Sequence, residues 1–283
     1  MTTAGAISKS VEGHYSKSDI GSLILAALQQ SGKDIDNLRL EDLEPVDEFH
    51  VRRREATREL ARRAGVDKGL QVLDVGCGIG GPARTMAYEF GARVTGIDLT
   101  EDYCRAATML TARVGLADRV TFRQANALDL PFPEGSFDVV WTQHASMNIP
   151  DKPRLYGECF RVLRPGGTLA IYDILAGPAG PVHFPVPWAR TPETSFLIAP
   201  DELRGLVEAA GFGVTHWEDR TSAALEWFEA LSKRIQQQGV PPLGTHLLVG
   251  GADYPEMARN QVRNLKEGRV VLGEILARKK EDT

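Results

Sequence analysis

Several things are scarce in this chain of 283 residues. Cysteine occurs three times, at Cys77, Cys104 and Cys159, an odd number too widely spaced for a disulfide framework or a thiol metal site. No metal is expected, and a reducing cytoplasm is the expected location. No apolar run approaches the roughly 18 residues of a membrane span. The N-terminus lacks a basic region followed by an apolar core, so no leader is expected there. Long basic runs are missing too, and the formal charge is −5. Nucleic acid wants a positive footprint, so neither nucleic acid nor membrane is an expected partner. Internal repeats and low-complexity segments are absent. What is present is 42% hydrophobic residues, enough for one large α/β domain with a cap or for two small domains.

One stretch organises the rest: Val72-Leu73-Asp74-Val75-Gly76-Cys77-Gly78-Ile79-Gly80-Gly81. Val72 to Val75 read as a short buried strand. The glycines permit a tight turn and a close ligand approach, and a helix follows from about Pro82 to Phe90, closed by Gly91. Strand, glycine turn and helix N-terminus together make a nucleotide cradle. The glycine spacing satisfies GxGxxG, which faces a pyrophosphate, and equally DxGxGxG with Asp74 in front. A carboxylate at Asp74 suits a cationic ligand better than a doubly negative one; it also suits a plain strand-end cap. Val94 to Leu99 form a second apolar strand ending in Asp98, near the roughly 20-residue offset at which an acid meets a ribose diol.

The segments VLDVGCGIGG, VTGIDLT, NALDLPFPEGSFDVVW and RVLRPGGTLAIYD follow one another in this order. That series resembles the ordered motifs of class I S-adenosylmethionine-dependent methyltransferases, over about residues 47 to 221. With the upstream EPVDEFHVRRREATRELA and WTQHASMNIPDK, the pattern is similar to sarcosine/dimethylglycine N-methyltransferases and related small-molecule enzymes. The resemblance implies an α/β fold: a Rossmann-like, doubly wound, seven-stranded, mostly parallel sheet with an antiparallel last strand. It implies an N-terminal helical cap or lid over 1–64 and a methyltransferase domain over 65–283, with 176–199 inserted as a pocket wall.

The same resemblance places S-adenosyl-L-methionine against Asp74, Gly76, Cys77, Gly78, Asp98, Leu99, Asn126, Ala127 and Gln143, with Tyr15 closing over it. Asn126 stands where the family reads the adenine amine; an asparagine that merely turns the chain is the alternative. Gln143 is expected near the methionine end. His144, with an ordinary pKa of about 6.5, is the candidate general base or orienting group, Tyr15 a second proton acceptor. Either could instead be structural. Met147, Phe184 and Trp188 are the candidate substrate contacts.

Farther along, Asp19 is placed to cap a helix carrying Ile20, Leu23, Ile24, Ala27 and Leu28. Residues 33 to 45 read as irregular, and Asp47 to Ala64 as one helix. Its arginines Arg52, Arg53 and Arg54 point in different directions, so at most two can face a site. The expected chemistry is methyl transfer to a small molecule, first to an amine nitrogen, alternatively to carbon or oxygen of a terpenoid or polyketide. A nicotinamide oxidoreductase is the remote alternative. A homo-oligomer is left open.

Overall fold

The computed structural model describes residues 4–15, 19–249 and 253–280, without the side chains of 4–8 and 15. Seven strands form one sheet: β1 (Gln71–Val75), β2 (Arg93–Asp98), β3 (Val120–Gln124), β4 (Phe137–Gln143), β5 (Leu163–Ala176), β6 (Phe212–Asp219) and β7 (Val270–Lys279). Their order is β3-β2-β1-β4-β5-β7-β6. The first five pair in parallel, and β7 runs antiparallel to both neighbours. The sheet and its antiparallel closing strand are those expected.

Alternation along the strands sorts side chains onto two faces. Leu73, Val75, Val140, Leu169 and Ile171 join one core with α7 (Lys152–Val162) and α8 (Pro200–Ala209). Val72, Val94, Val139, Trp141 and Ala170 join the other, with α4 (Arg53–Ala64) and α5 (Gly81–Glu89). Connections leave β1 toward opposite sides of the sheet, so β1 and β4 flank the topological switch point. Open parallel sheets bind ligands outside the strand C-termini at such a point.

The N-terminal helices α1 (Ala4–Tyr15), α2 (Ile20–Gln30) and α3 (Leu40–Asp47) lie ahead of the sheet. Asp19 caps α2, accepting from the Ser22 N–H at 3.2 Å. Ile20, Ile24 and Leu28 are buried with Tyr103 and Leu110 of α6 (Glu101–Arg113), with Leu248 of α10 (His246–Val249) and with Met257 beyond it. Two expectations fail here. Residues 40–47 are helical, not irregular, and the helix expected over Asp47 to Ala64 is broken. Residues 48–52 form a strap between α3 and α4, with Arg52 at φ 66° and Arg53 at φ 44°. Beyond the sheet centre, α9 (Thr221–Gln238) and α11 (Tyr254–Lys266) pack against each other and against β7. Among the described residues no helix is long and apolar enough to cross a membrane.

Candidate functional site

A cleft opens at the C-terminal ends of β1, β2 and β4. The turn after β1 lines it through Gly76, Cys77 and Gly78. Gly76 has φ 77°, and a Cβ there would meet Ala145 at 2.5 Å. Gly78 has φ 54°, and a Cβ there would meet nothing within 4 Å. The first glycine therefore serves chain packing, whereas the space above the second is kept for a ligand.

Asp98, Leu99, Asn126, Ala127, Gln143 and His144 also line the cleft. Asp98 is held from both sides: Oδ2 accepts from the Gly78 N–H and Oδ1 from the Thr100 N–H, each at 2.9 Å. Burial pushes its pKa up, opposed by those backbone hydrogen bonds. Asn126 is exposed, and its Oδ1 accepts from the Leu128 N–H at 2.9 Å, so it does turn the chain; one lone pair remains for a ligand. Gln143 is buried, its Oε1 accepting from Trp141 Nε1 at 3.0 Å and lying 3.1 Å from Thr57 Oγ1, while its Nε2 has no partner.

Asp74 departs from expectation. It lies beneath the glycine turn and does not line the cleft. Its pKa is pushed up to about 8, first by burial, then by Asp98 and Glu48, and its Oδ2 has no partner. A carboxyl so raised is relieved by a nearby cation and strained further by a nearby phosphate.

His144 follows β4 in a left-handed conformation, φ 48°, with its N–H donating to the Tyr172 carbonyl at 2.9 Å. Asp173 fixes the next turn through the Ser146 N–H at 3.0 Å, and Lys152 Nζ donates to the carbonyls of Ser146 and Ile149. The His144 ring stacks on His50, centroids 5.9 Å apart, and meets Tyr172 edge-on at 5.4 Å. Neither ring nitrogen has a partner, and burial, then His50, lowers its pKa well below the usual value. His50 is lowered to about 4 by burial. Both imidazoles are thus neutral near pH 7.

Sequence reasoning missed His50, which comes from the strap. His50 Nε2 lies 2.9 Å from the Arg53 carbonyl and 3.2 Å from Thr57 Oγ1. Glu48 completes the network, accepting from Thr57 Oγ1 at 2.6 Å and Thr85 Oγ1 at 2.9 Å. Burial raises Glu48 to about 7. Buried Arg84 pairs with Asp47, which also lines the cleft. The strap is thereby tied to α4, α5 and β4 at once.

Beyond the strap lies a second, larger cavity of about 2000 Å³, open solvent included. Phe49 and His50 line both cavities. Leu225, Trp227, Phe228, Leu231 and Ile235 of α9 and Val262 of α11 make its apolar walls.

The expected substrate contacts lie elsewhere. Trp188 is 1% exposed, with Nε1 donating to Ser195 Oγ at 3.0 Å, and Met147 is 4% exposed. Phe184 packs against the same core. None of the three lines either cavity, and of 176–199 only Pro187 does so among the described residues. Crowded apolar residues marked packing there, not a pocket. Tyr15 ends α1, and its side chain lies outside the described residues, though Val11 of α1 reaches the cleft. His216, Glu218 and Glu274 form one group with metal-ligand geometry, but Arg63 and Arg220 already sit on Glu274 at 2.6 and 3.1 Å.

Residues 73–171 match the family model described as a methyltransferase domain. This part of the chain is thus similar to a methyltransferase domain. A sterol 24-C-methyltransferase of Aspergillus fumigatus is 32% identical over 190 residues, 64% of this chain and 50% of the relative. Methyltransferase GfsG of Streptomyces halstedii is 42% identical over 119 residues, 42% of this chain and 43% of the relative. The matches thus span half or less of those relatives' lengths. The solved geranyl diphosphate C-methyltransferase of Streptomyces coelicolor superimposes with a TM-score of 0.71 at 16% identity, covering 98% of this chain and 99% of that one. At that identity the likeness is one of methyltransferase fold.

Proposed function

We propose that the protein transfers a methyl group from S-adenosylmethionine to carbon of an apolar small molecule seated in the second cavity. The observation that carries this is the shared wall. Phe49 and His50 separate a cleft suited to the cofactor from an apolar cavity, with the His144 ring stacked directly behind.

The residues of the cleft fit the cofactor: Asp98 brings a carboxylate to it for a ribose diol, and Gly78 leaves open space. When bound, the sulfonium supplies an electrophilic methyl group for in-line attack. The chain's own part is then to align acceptor and donor at about 3–3.5 Å and to exclude water.

The imidazole environment helps choose among acceptors. A weak, neutral base is poorly matched to removing a hydroxyl proton. It is well matched to an alkene acceptor, whose π pair forms the new C–C bond and whose resulting cation then releases a proton to His144. The amine expectation has less support, since the one interior cation of the second cavity among the described residues, Arg53, would repel an ammonium. The name of the similar sterol 24-C-methyltransferase leans the same way.

The test is incubation with methyl-labelled cofactor and a panel of prenyl compounds, phenols and amines, read by mass. Label on carbon of an unsaturated acceptor is expected. Label confined to nitrogen would overturn the carbon assignment, and cofactor binding without S-adenosylhomocysteine release would overturn methyl transfer.

A further inference from the structure

The second cavity has mostly apolar walls, with Ser232, Gln236 and Gln261 also lining it, and one polar corner stands out. There Arg53 Nη2 lies 3.5 Å from Thr245 Oγ1, which lies 3.0 Å from the Tyr254 hydroxyl, and all three residues line the cavity. The guanidinium also sits over Trp227, 5.8 Å from the ring centroid. Its two neighbours both have carboxylates beside them: Arg52 pairs with Glu55 at 2.9 Å and Glu59 at 2.8 Å, and Arg54 faces Asp47 at 3.7 Å and Glu48 at 3.8 Å. Among the described residues Arg53 has no carboxylate partner.

Arg53 is placed against every local preference. It is the first residue of α4, where the helix dipole disfavours a cation, and no side chain caps that helix end. Its φ of 44° is a left-handed conformation that side chains other than glycine adopt at a cost. Burial lowers its pKa. At the cavity rim Arg259, Lys266, Glu226 and Glu229 are exposed, and Glu229 holds Lys233 at 2.8 Å, so the rim offers both signs. The interior offers one. An interior cation without a counter-ion is costly, and a bidentate oxyanion relieves that cost with matched geometry.

We propose that Arg53, with Thr245 and Tyr254, binds the acidic head group of an amphiphile whose apolar body fills the second cavity. The head is a carboxylate or a phosphate. Calling this ligand the methyl acceptor rests on the function proposed above; its binding does not.

The probes are decanoate, decyl phosphate and decanol, titrated calorimetrically into the whole protein below their micelle concentrations. At least one acid should bind roughly tenfold or more tightly than the alcohol, the scale of one charge-assisted pair. The tighter of the two acids identifies the head group. Arg53→Gln should bring the acids to the level of decanol and leave decanol unchanged. Arg53→Lys should retain part of the preference, having charge without the fork. Cofactor affinity should not change, because Arg53 lies outside the cleft. Equal binding of acid and alcohol by the wild-type protein, or binding of neither acid, overturns the proposal without any variant. An acid preference in a protein that methylates nothing would sink only the methyl-transfer reading.

Discussion

Asp98 offers the sharpest test of the cofactor cleft, through its replacement by asparagine. The carboxylate accepts two backbone N–H bonds, from Gly78 and Thr100, one on each oxygen and both at 2.9 Å. The carboxylate also lines the cleft, where it is placed to accept from a ribose diol. Asparagine preserves shape but presents one oxygen and one NH2. Whichever way the amide turns, the NH2 must face a backbone N–H, so one donor loses its acceptor and one ribose bond disappears. The surviving ribose bond drops from charge-assisted to neutral. A lost charge-assisted bond of about 1.5–3 kcal/mol plus a weakened second one gives about 3–4 kcal/mol, or roughly 10²–10³-fold in Kd. Asp98→Ala should weaken binding at least as much, because it removes both acceptors and leaves the Gly78 and Thr100 N–H groups without this partner. Titration calorimetry with S-adenosylmethionine and S-adenosylhomocysteine measures both, with Tm recorded alongside. If Asp98→Asn bound either ligand within about threefold of wild type, a range worth under 1 kcal/mol, the carboxylate would not be touching the ribose and the reasoning would be refuted.

Three further outcomes follow from the geometry. Gly78→Ala should fold with a penalty of about 1–2 kcal/mol for a left-handed alanine, yet bind cofactor poorly, since its Cβ enters space no protein atom fills; normal cofactor titration by this variant would refute the cradle. Asp74 is raised from 3.8 to about 8, so the stability of the ligand-free chain attached to this group is complete below about pH 4 and is lost as pH rises toward 8. Asp74→Asn should accordingly gain in Tm relative to wild type across that window, and parallel Tm–pH curves would contradict the burial of an unpartnered carboxyl. His144→Asn, chosen because asparagine tolerates φ 48°, should lower kcat by about 10²-fold or more, the range of a lost proton acceptor, with cofactor Kd unchanged; equal turnover on the true acceptor would leave His144 a structural residue.

The sheet and the glycine turn were legible because each is written in contiguous residues. Four or five apolar positions make a buried strand, and an acid at the strand end followed by glycines has few other uses. The strap was not legible. Apolar spacing across residues 47–64 reads as one helix because periodicity reports a face, not a break. The break at Arg52 and Arg53 is imposed by tertiary bonds: Glu48 holds Thr57 and Thr85, and His50 Nε2 turns back to the Arg53 carbonyl at 2.9 Å. None of these pairs is visible as a local pattern. The pocket wall was misplaced for a related reason. Phe184, Trp188 and their prolines are crowded whether they face protein or empty space, and composition does not say which.

One signal for the true wall was present. Trp227 and Phe228 are adjacent on an amphipathic helix, about 100° apart around its axis, so burying both needs two different neighbours. Packing against β7 and α11 serves part of α9, and a cavity serves the remainder. The aromatic pair therefore marks where α9 stops being core and becomes lining. That same lining meets the strap at Arg53, over Trp227. A three-arginine run that looks like a solvated face in sequence is thus divided by the break in the helix: Arg52 and Arg54 turn to carboxylates, and Arg53 turns to the cavity. The strap's left-handed residues do what a continuous helix could not. They put His50 at the wall shared by the two cavities and a cation at the wall of the second within three residues of each other.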